Sequence, residues 1–171
     1  ELAGLASALD MAASEGWGHY YGGVAYYLQN DLRNAYERLG MLIQHPYRYG
    51  ALTVAHGAFA LAMTFLALRL PAQATATLEF ARSYLERVNS RHLLASAEAF
   101  AAELALRQGR LDEAVRWRRQ QGARIAHDAL LFFFAPQLTL PKILLAEDTV
   151  QSNAEAERLL DALWDLAGEQ H

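Results

Sequence analysis

The chain has 171 residues, of which 53% are hydrophobic and 20% are charged, and this apolar content is too high for a disordered segment. Its net charge of −4, with no long run of lysine or arginine, excludes a nucleic-acid interface that works by neutralising phosphates. No cysteine occurs, which excludes disulfides and cysteine metal sites and favours a cytoplasmic protein.

Residue propensities favour an all-α fold, because alanine and leucine dominate and only 4 prolines and 11 glycines are present. Asp31 can cap a helix that follows it, Pro71 suits a first helical turn, and Gly109 suits the left-handed end of a helix. The longest mostly apolar stretch, about eleven residues, is too short to cross a membrane. Together, the patterns predict helices at about 2–14, 17–29, 31–44, 50–69, 71–88, 91–108, 111–126, 135–147 and 153–168.

A repeat of about 40 residues organises these helices. Four turn-then-helix segments carry an alanine at the same place, at Ala35, Ala74, Ala114 and Ala156, with spacings of 39, 40 and 42 residues. A small residue stands twelve positions before each of the first three alanines, at Gly23, Ala62 and Ala102. Small residues allow two antiparallel helices to approach closely, so this pattern predicts helical hairpins.

The expected architecture is an α-α superhelix of the tetratricopeptide type, although the period is longer than that repeat's roughly 34 residues. We expect one domain over residues 1–171, with a leading helix and about four hairpins at about 15–48, 49–89, 90–127 and 132–171. The chain opens with Glu-Leu-Ala-Gly and lacks an initiator methionine, so we expect it to be a fragment of a longer protein.

Three sequence segments show a more specific resemblance. They are AAELALRQGRLDEAVRW at residues 101–117, APQLTLPKILLA at 135–146 and ERLLDAL at 157–163. In this order they resemble the helical sensor region of the large ATP-dependent LuxR-type transcriptional regulators, the maltose-activator-like group. Pro141 and Lys142 depart from the family, in which a small residue and an arginine are common at these places.

The resemblance implies an effector-sensing domain that lies between two other domains of a longer protein. In such regulators an N-terminal domain binds ATP and a C-terminal helix-turn-helix binds DNA. This sequence has no Gly-x-x-x-x-Gly-Lys-[Ser/Thr] loop and no basic recognition helix, so neither ATP nor DNA is expected to bind the fragment itself. The expected partners are a small-molecule effector or a peptide or protein, with self-association left open.

A candidate binding surface follows from the repeat, because the first helix of each hairpin lines the inner face of such a superhelix. This face is aromatic and apolar in the first two hairpins and charged in the third. Aromatic rings with hydroxyl groups suit a sugar, an aromatic metabolite or a peptide side chain, but they also commonly fill helix-packing cores. The candidates are Trp17, Tyr20, Tyr27, His56, Phe59, Met63, Glu103 and Arg107.

Other chemistry has little support in the sequence. The six histidines form no His-x-x-x-His or Glu-x-x-His pair, so we expect no metal site. No Gly-x-Ser-x-Gly elbow or similar pattern occurs, so we expect no enzyme. Phe132, Phe133 and Phe134 cannot all face one core stripe of a helix. This predicts either a loop that plugs the groove between hairpins three and four, or an apolar contact with the next part of the chain or with a second protomer. A sensor domain and a protein-interaction scaffold are therefore the two leading interpretations.

Overall fold

The computed structural model describes residues 2–121 and 133–168, and the side chains of residues 11–120 and 133–165. Every regular element in these ranges is helical, which confirms the predicted all-α class. A single 3-10 turn, Pro136–Leu138, precedes the seventh α-helix. In chain order the α-helices are α1 (Leu2–Leu28), α2 (Leu32–Gln44), α3 (Ala51–Ala67), α4 (Pro71–Arg87), α5 (Arg91–Arg107), α6 (Leu111–Gln121), α7 (Thr139–Glu147) and α8 (Val150–Gly168).

The backbone divides into two compact units, unit 1 (Glu1–Ala97) and unit 2 (Glu98–His171), with the boundary inside α5. In unit 1, α1 packs on α2, α2 on α3, and α3 on α4, while α1 also contacts α3. In unit 2, α6 packs on α7 and α7 packs on α8. Consecutive helices therefore pair in the hairpin-like manner that a helical repeat predicts. The expectation of one domain with four hairpins stays a prediction.

The predicted leading helix is not separate. We expected a break after residue 14, but α1 runs without interruption from Leu2 to Leu28. Gly16 lies between the two helices that were expected here. A Cβ at Gly16 would lie 2.9 Å from Cδ1 of Tyr49, so this glycine allows the tyrosine ring to pack closely against the helix.

The repeat residues occupy equivalent buried places. All four marker alanines are fully buried near the beginning of α2, α4, α6 and α8. The small residues on the preceding helices are also buried, and at Gly23 the reason is visible. A Cβ there would lie 2.5 Å from Cγ of Leu39, so α1 and α2 could not approach as closely with any larger residue.

The turns repeat as well. Asn30, Arg69, Asn89 and Gly109 all follow a helix with positive φ, between 52° and 75°. In each case the next residue donates its backbone N–H to a carbonyl five residues earlier, as Asp31 does to Tyr26. This is the Schellman arrangement, which satisfies carbonyl groups at the end of a helix. The predicted roles of Gly109 and Pro71 are confirmed, and Asp31 caps α2 by accepting a hydrogen bond from the backbone N–H of Asn34.

The end of the chain differs in detail from the prediction. The helix expected at 153–168 begins at Val150, because Thr149 and not Ser152 occupies the capping place. The backbone N–H of Ser152 donates to Oγ1 of Thr149, and the backbone N–H of Thr149 is bonded to Oγ of Ser152, both at 3.0 Å. This reciprocal pair satisfies two N–H groups at the start of α8.

Candidate functional site

The aromatic candidates of unit 1 lie mainly in its core. Tyr20 and Phe59 are almost completely buried, and His56 lies between them, with ring centroids 6.4 Å from Tyr20 and 5.4 Å from Phe59. Met63 is also buried. Because side chains with so little exposed area hold α1 and α3 together, their first role is packing. Their binding role stays a prediction.

The remaining two aromatic candidates are half-buried, and one of them belongs to an aromatic surface that was not predicted. Trp17 stacks on Tyr21, with ring centroids 5.6 Å apart and an angle of 25° between the planes. Tyr21 is 54% exposed, and Tyr27 lies further along the same helix. Tyr21 stands four residues after Trp17, so helical spacing alone could have identified this pair.

A groove of about 700 Å³, here named the α1 groove, runs beside α1 in unit 1. Gly18 and Gly22 line it, and a Cβ at either position would meet no atom within 4 Å. Seven of the eight lining residues belong to one face of α1, and Arg38 of α2 supplies the eighth. The lining is Glu15, Gly18, His19, Gly22, Ala25, Tyr26, Gln29 and Arg38.

Polar contacts at one end of the α1 groove involve the carboxylate of Glu15. It pairs with Arg48 and lies 3.7 Å from Nε2 of His19. Burial raises the pKa of the neighbouring Tyr49 hydroxyl above its ordinary value of 10.0, and the negative charge of Glu15 raises it further, whereas Arg48 acts in the opposite direction. Tyr49 therefore keeps its proton to a more alkaline pH than a free tyrosine does.

Unit 2 contains a charged cluster around Glu103, here named the Glu103 cluster and formed by Glu103, Arg107 and Lys142. Arg107 Nε donates a hydrogen bond of 2.7 Å to Oε1 of Glu103, and Lys142 Nζ donates one of 3.0 Å to the same oxygen. The Glu103 side chain is only 3% exposed, while those of Arg107 and Lys142 are 48% and 41% exposed. One buried acid thus holds two cations that reach the surface.

The second carboxylate oxygen of Glu103 is different. Oε2 is buried and accepts no hydrogen bond from the residues that the structure describes. Oγ1 of Thr139, one turn before Lys142 on α7, is also buried without such a partner. Buried polar atoms are normally paired, and the facing parts of α5 and α7 each leave one such atom without a partner among the described residues.

Apolar contacts place α7 against α5 and so bring the cluster together. Ile143, next to Lys142, is fully buried with Ala102 and Ala114 in one apolar cluster. Phe134 packs edge-to-face on Phe100 of α5, with centroids 5.0 Å apart. This agrees with the predicted packing role of the phenylalanine segment, while Phe132 lies outside the described residues.

Sequence reasoning identified Glu103 and Arg107 but not Lys142. The residue was noted only as a departure from the family pattern. The repeat offered a signal, because Lys142 follows Glu103 by 39 residues, which equals the shortest spacing between the marker alanines. The aromatic candidates belong to unit 1, and the Glu103 cluster belongs to unit 2.

Searches for relatives and for other site types returned little. No protein-family model matches the chain, and no curated protein shows significant similarity to it. In the part of the chain that the structure describes, no group of three or more histidine or acidic side chains is placed to hold a metal ion. None of the described helices combines the length and the apolar character needed to cross a bilayer.

Proposed function

We propose that the chain is an effector-binding domain of a LuxR-type transcriptional regulator, and that the Glu103 cluster belongs to its effector site. One observation carries the binding role: a buried carboxylate keeps two half-exposed cations at the surface of unit 2. Such a cluster is a weak source of stability, because the removal of charges from water offsets most of their attraction. Its orientation towards solvent suits recognition of a polar ligand.

The regulator assignment rests on the resemblance of three sequence phrases in residues 101–163, and the consecutive hairpin-like packing is compatible with it. In the complete cytoplasmic protein, an ATP-binding domain and a helix-turn-helix would carry the switch and the DNA contact. The assignment predicts that the gene encodes a phosphate-binding loop upstream of this segment and a helix-turn-helix downstream. Sequencing the flanking regions tests it, and a flank with neither module contradicts it.

Thermal unfolding of the 171-residue chain with a panel of metabolites tests the binding role. A ligand at a hundred times its Kd stabilises the folded state by about 2.7 kcal/mol, which corresponds to a rise in Tm of about 5–10 °C for a chain of this size. At least one metabolite should produce such a rise. A flat response across sugars, sugar phosphates, amino acids and organic acids would refute effector binding.

The α1 groove favours a second candidate, a scaffold that binds a protein segment. Its lining extends from Glu15 to Gln29, about four helical turns or roughly 20 Å, so the groove of about 700 Å³ extends along the helix. Such an elongated groove suits a row of side chains from a helix better than a compact metabolite. Gly22→Leu would fill it and should abolish capture of a protein partner without affecting metabolite binding. Capture that survives this change excludes the groove.

A further inference from the structure

The place that Glu103 occupies on α5 has apolar counterparts on the two earlier helices of the same type. Glu103 stands four residues before the end of its helix and eleven before a marker alanine, and Val24 and Met63 stand at the same distances on α1 and α3. Met63 is buried there without any charge. An apolar side chain therefore satisfies the packing of this position, and the carboxylate of Glu103 has another reason to be present.

The two cations of the cluster retain donors after they have paired with Glu103. Arg107 uses Nε for the carboxylate, which leaves its two terminal nitrogens, and Lys142 uses one of three ammonium donors. A planar pair of guanidinium donors beside an ammonium group matches the oxygens of a carboxylate or phosphate.

The net charge of the cluster also favours an anionic ligand. One acid and two bases give a net charge of +1, and the acid is the buried member while the bases are about half exposed. The positive side of the cluster therefore faces solvent, and because both cations share Oε1 of Glu103, their heads are held close together. An anion can neutralise the excess charge without disrupting either existing bond.

We propose that Arg107 and Lys142 together bind the anionic group, a carboxylate or a phosphate, of a small ligand, with Glu103 holding the two cations side by side. This inference rests on the proposed effector-binding function and gives the effector a chemical class. The rest of the ligand extends beyond the cluster and supplies additional affinity, so a simple anion binds more weakly than the complete effector.

The test is an NMR titration of the isotope-labelled 171-residue chain with inorganic phosphate and, separately, with succinate. Sodium chloride keeps the ionic strength constant, because screening would otherwise change the signals of exposed charges. The Nε–Hε signal of Arg107 should shift in a saturable way with the preferred anion. Preference for phosphate indicates a phosphorylated effector, and preference for succinate indicates a carboxylate.

Matched variants separate a site from general charge effects. Arg107→Gln and Lys142→Gln should each weaken anion binding by about tenfold, since each removes one charge-assisted hydrogen bond. Arg107→Lys, which retains the charge and loses the planar donors, should fall between them and the wild type. Arg110→Gln is the control, because Arg110 is similarly exposed and pairs with Glu113 without a buried carboxylate. Circular dichroism confirms that each variant remains folded.

The possible outcomes test the anion site separately from the proposed effector-binding function. Absence of a saturable Arg107 shift, or an equal loss in Arg110→Gln, overturns the anion site. If a metabolite from the thermal panel binds Arg107→Gln and Lys142→Gln as tightly as the wild type, the anion site is wrong although effector binding stands. If phosphate or succinate shifts Arg107 but no metabolite raises Tm, the anion site stands and effector sensing fails.

Discussion

Met63 and Glu103 occupy the same place in successive repeats and show two uses of one backbone position. Met63 is buried in unit 1 beside other apolar side chains of α3, whereas Glu103 is buried in unit 2 with a charge that two exposed cations balance. The helix and its turn are alike in both units. An apolar side chain therefore fills this position in one repeat, and a paired charge fills it in another.

The aromatic residues of unit 1 were predicted to bind a ligand, but most of them lie in the core. Tyr20, His56 and Phe59 looked functional because they are aromatic and regularly spaced, yet their burial gives them a packing role. The aromatic candidates are therefore mainly core residues, whereas Arg107 and Lys142 of the Glu103 cluster reach the surface of unit 2. The following experiments challenge this division, beginning with the largest expected effect.

Truncation of Phe59 tests whether the aromatic set of unit 1 is core. Phe59→Ala should reduce the free energy of unfolding by about 3–5 kcal/mol, because it removes a fully buried ring and leaves a cavity. Urea unfolding measures the loss, and Tyr21→Ala, at a 54% exposed position, should cost less than about 1 kcal/mol. A stable Phe59→Ala that loses effector binding would return the site to unit 1.

A double-mutant cycle at the Glu103 cluster tests whether its charges serve stability. Lys142→Met alone should cost about 1–3 kcal/mol, because the buried carboxylate then keeps only Arg107. Combined with Glu103→Met, which copies the residue at Met63, the cost should disappear or become a gain. Chemical unfolding of all four proteins gives the coupling energy. A double variant less stable than either single variant would show that the charged cluster is structural.

Two neighbouring glycines of α1 provide an internal comparison within unit 1. Gly23→Ala should destabilise the protein by about 1–3 kcal/mol, because the new Cβ would collide with the fully buried Leu39. Gly22→Ala should stabilise it by about 0.5–1 kcal/mol, because open space lies above that position and alanine favours the helix. Thermal unfolding measures whether each variant is more or less stable than the wild type. Equal changes in the two variants would contradict the close α1–α2 packing.

Most of the fold could be predicted from the sequence, because each hairpin carries its own signals. The marker alanines, the cap at Asp31 and the left-handed turn at Gly109 act within a few residues, so spacing and propensity identify them. The uninterrupted α1 was missed, because the close packing of Tyr49 on Gly16 joins residues that are distant in sequence.

The candidate site was less predictable for a related reason. Helical spacing correctly placed Glu103 and Arg107 on one face, four residues apart, and they form an ion pair. It could not assign burial, because Tyr20 and Tyr21 are adjacent in sequence and similar in chemistry, yet one is core and the other is exposed. Lys142 required knowledge of how α7 packs against α5, which Ile143 and Phe134 determine through contacts that no local pattern encodes.

Alkaline pH is expected to have a small effect on stability. The effect concerns unit 1, which buries tyrosine hydroxyls, whereas unit 2 buries a carboxylate. The Tyr84 hydroxyl donates a hydrogen bond of 3.0 Å to the carbonyl of Pro46. Burial raises the pKa of Tyr84 above 10.0, and Tyr47 adds to the rise. The unfolded chain therefore loses this proton first, so the contribution of Tyr84 is complete below about pH 10 and declines as pH rises through its folded pKa.

Tyr84→Phe should accordingly cost about 1 kcal/mol at pH 7, because it removes one buried hydrogen bond. The difference from the wild type should shrink as pH rises above about 10, where only the wild type has this proton to lose on unfolding. Urea unfolding at several pH values measures both curves, and Tyr21→Phe at an exposed position serves as the control. A gap that stays constant up to the highest pH would mean that Tyr84 ionises equally in the folded and unfolded chains, and that its burial in unit 1 carries no electrostatic consequence.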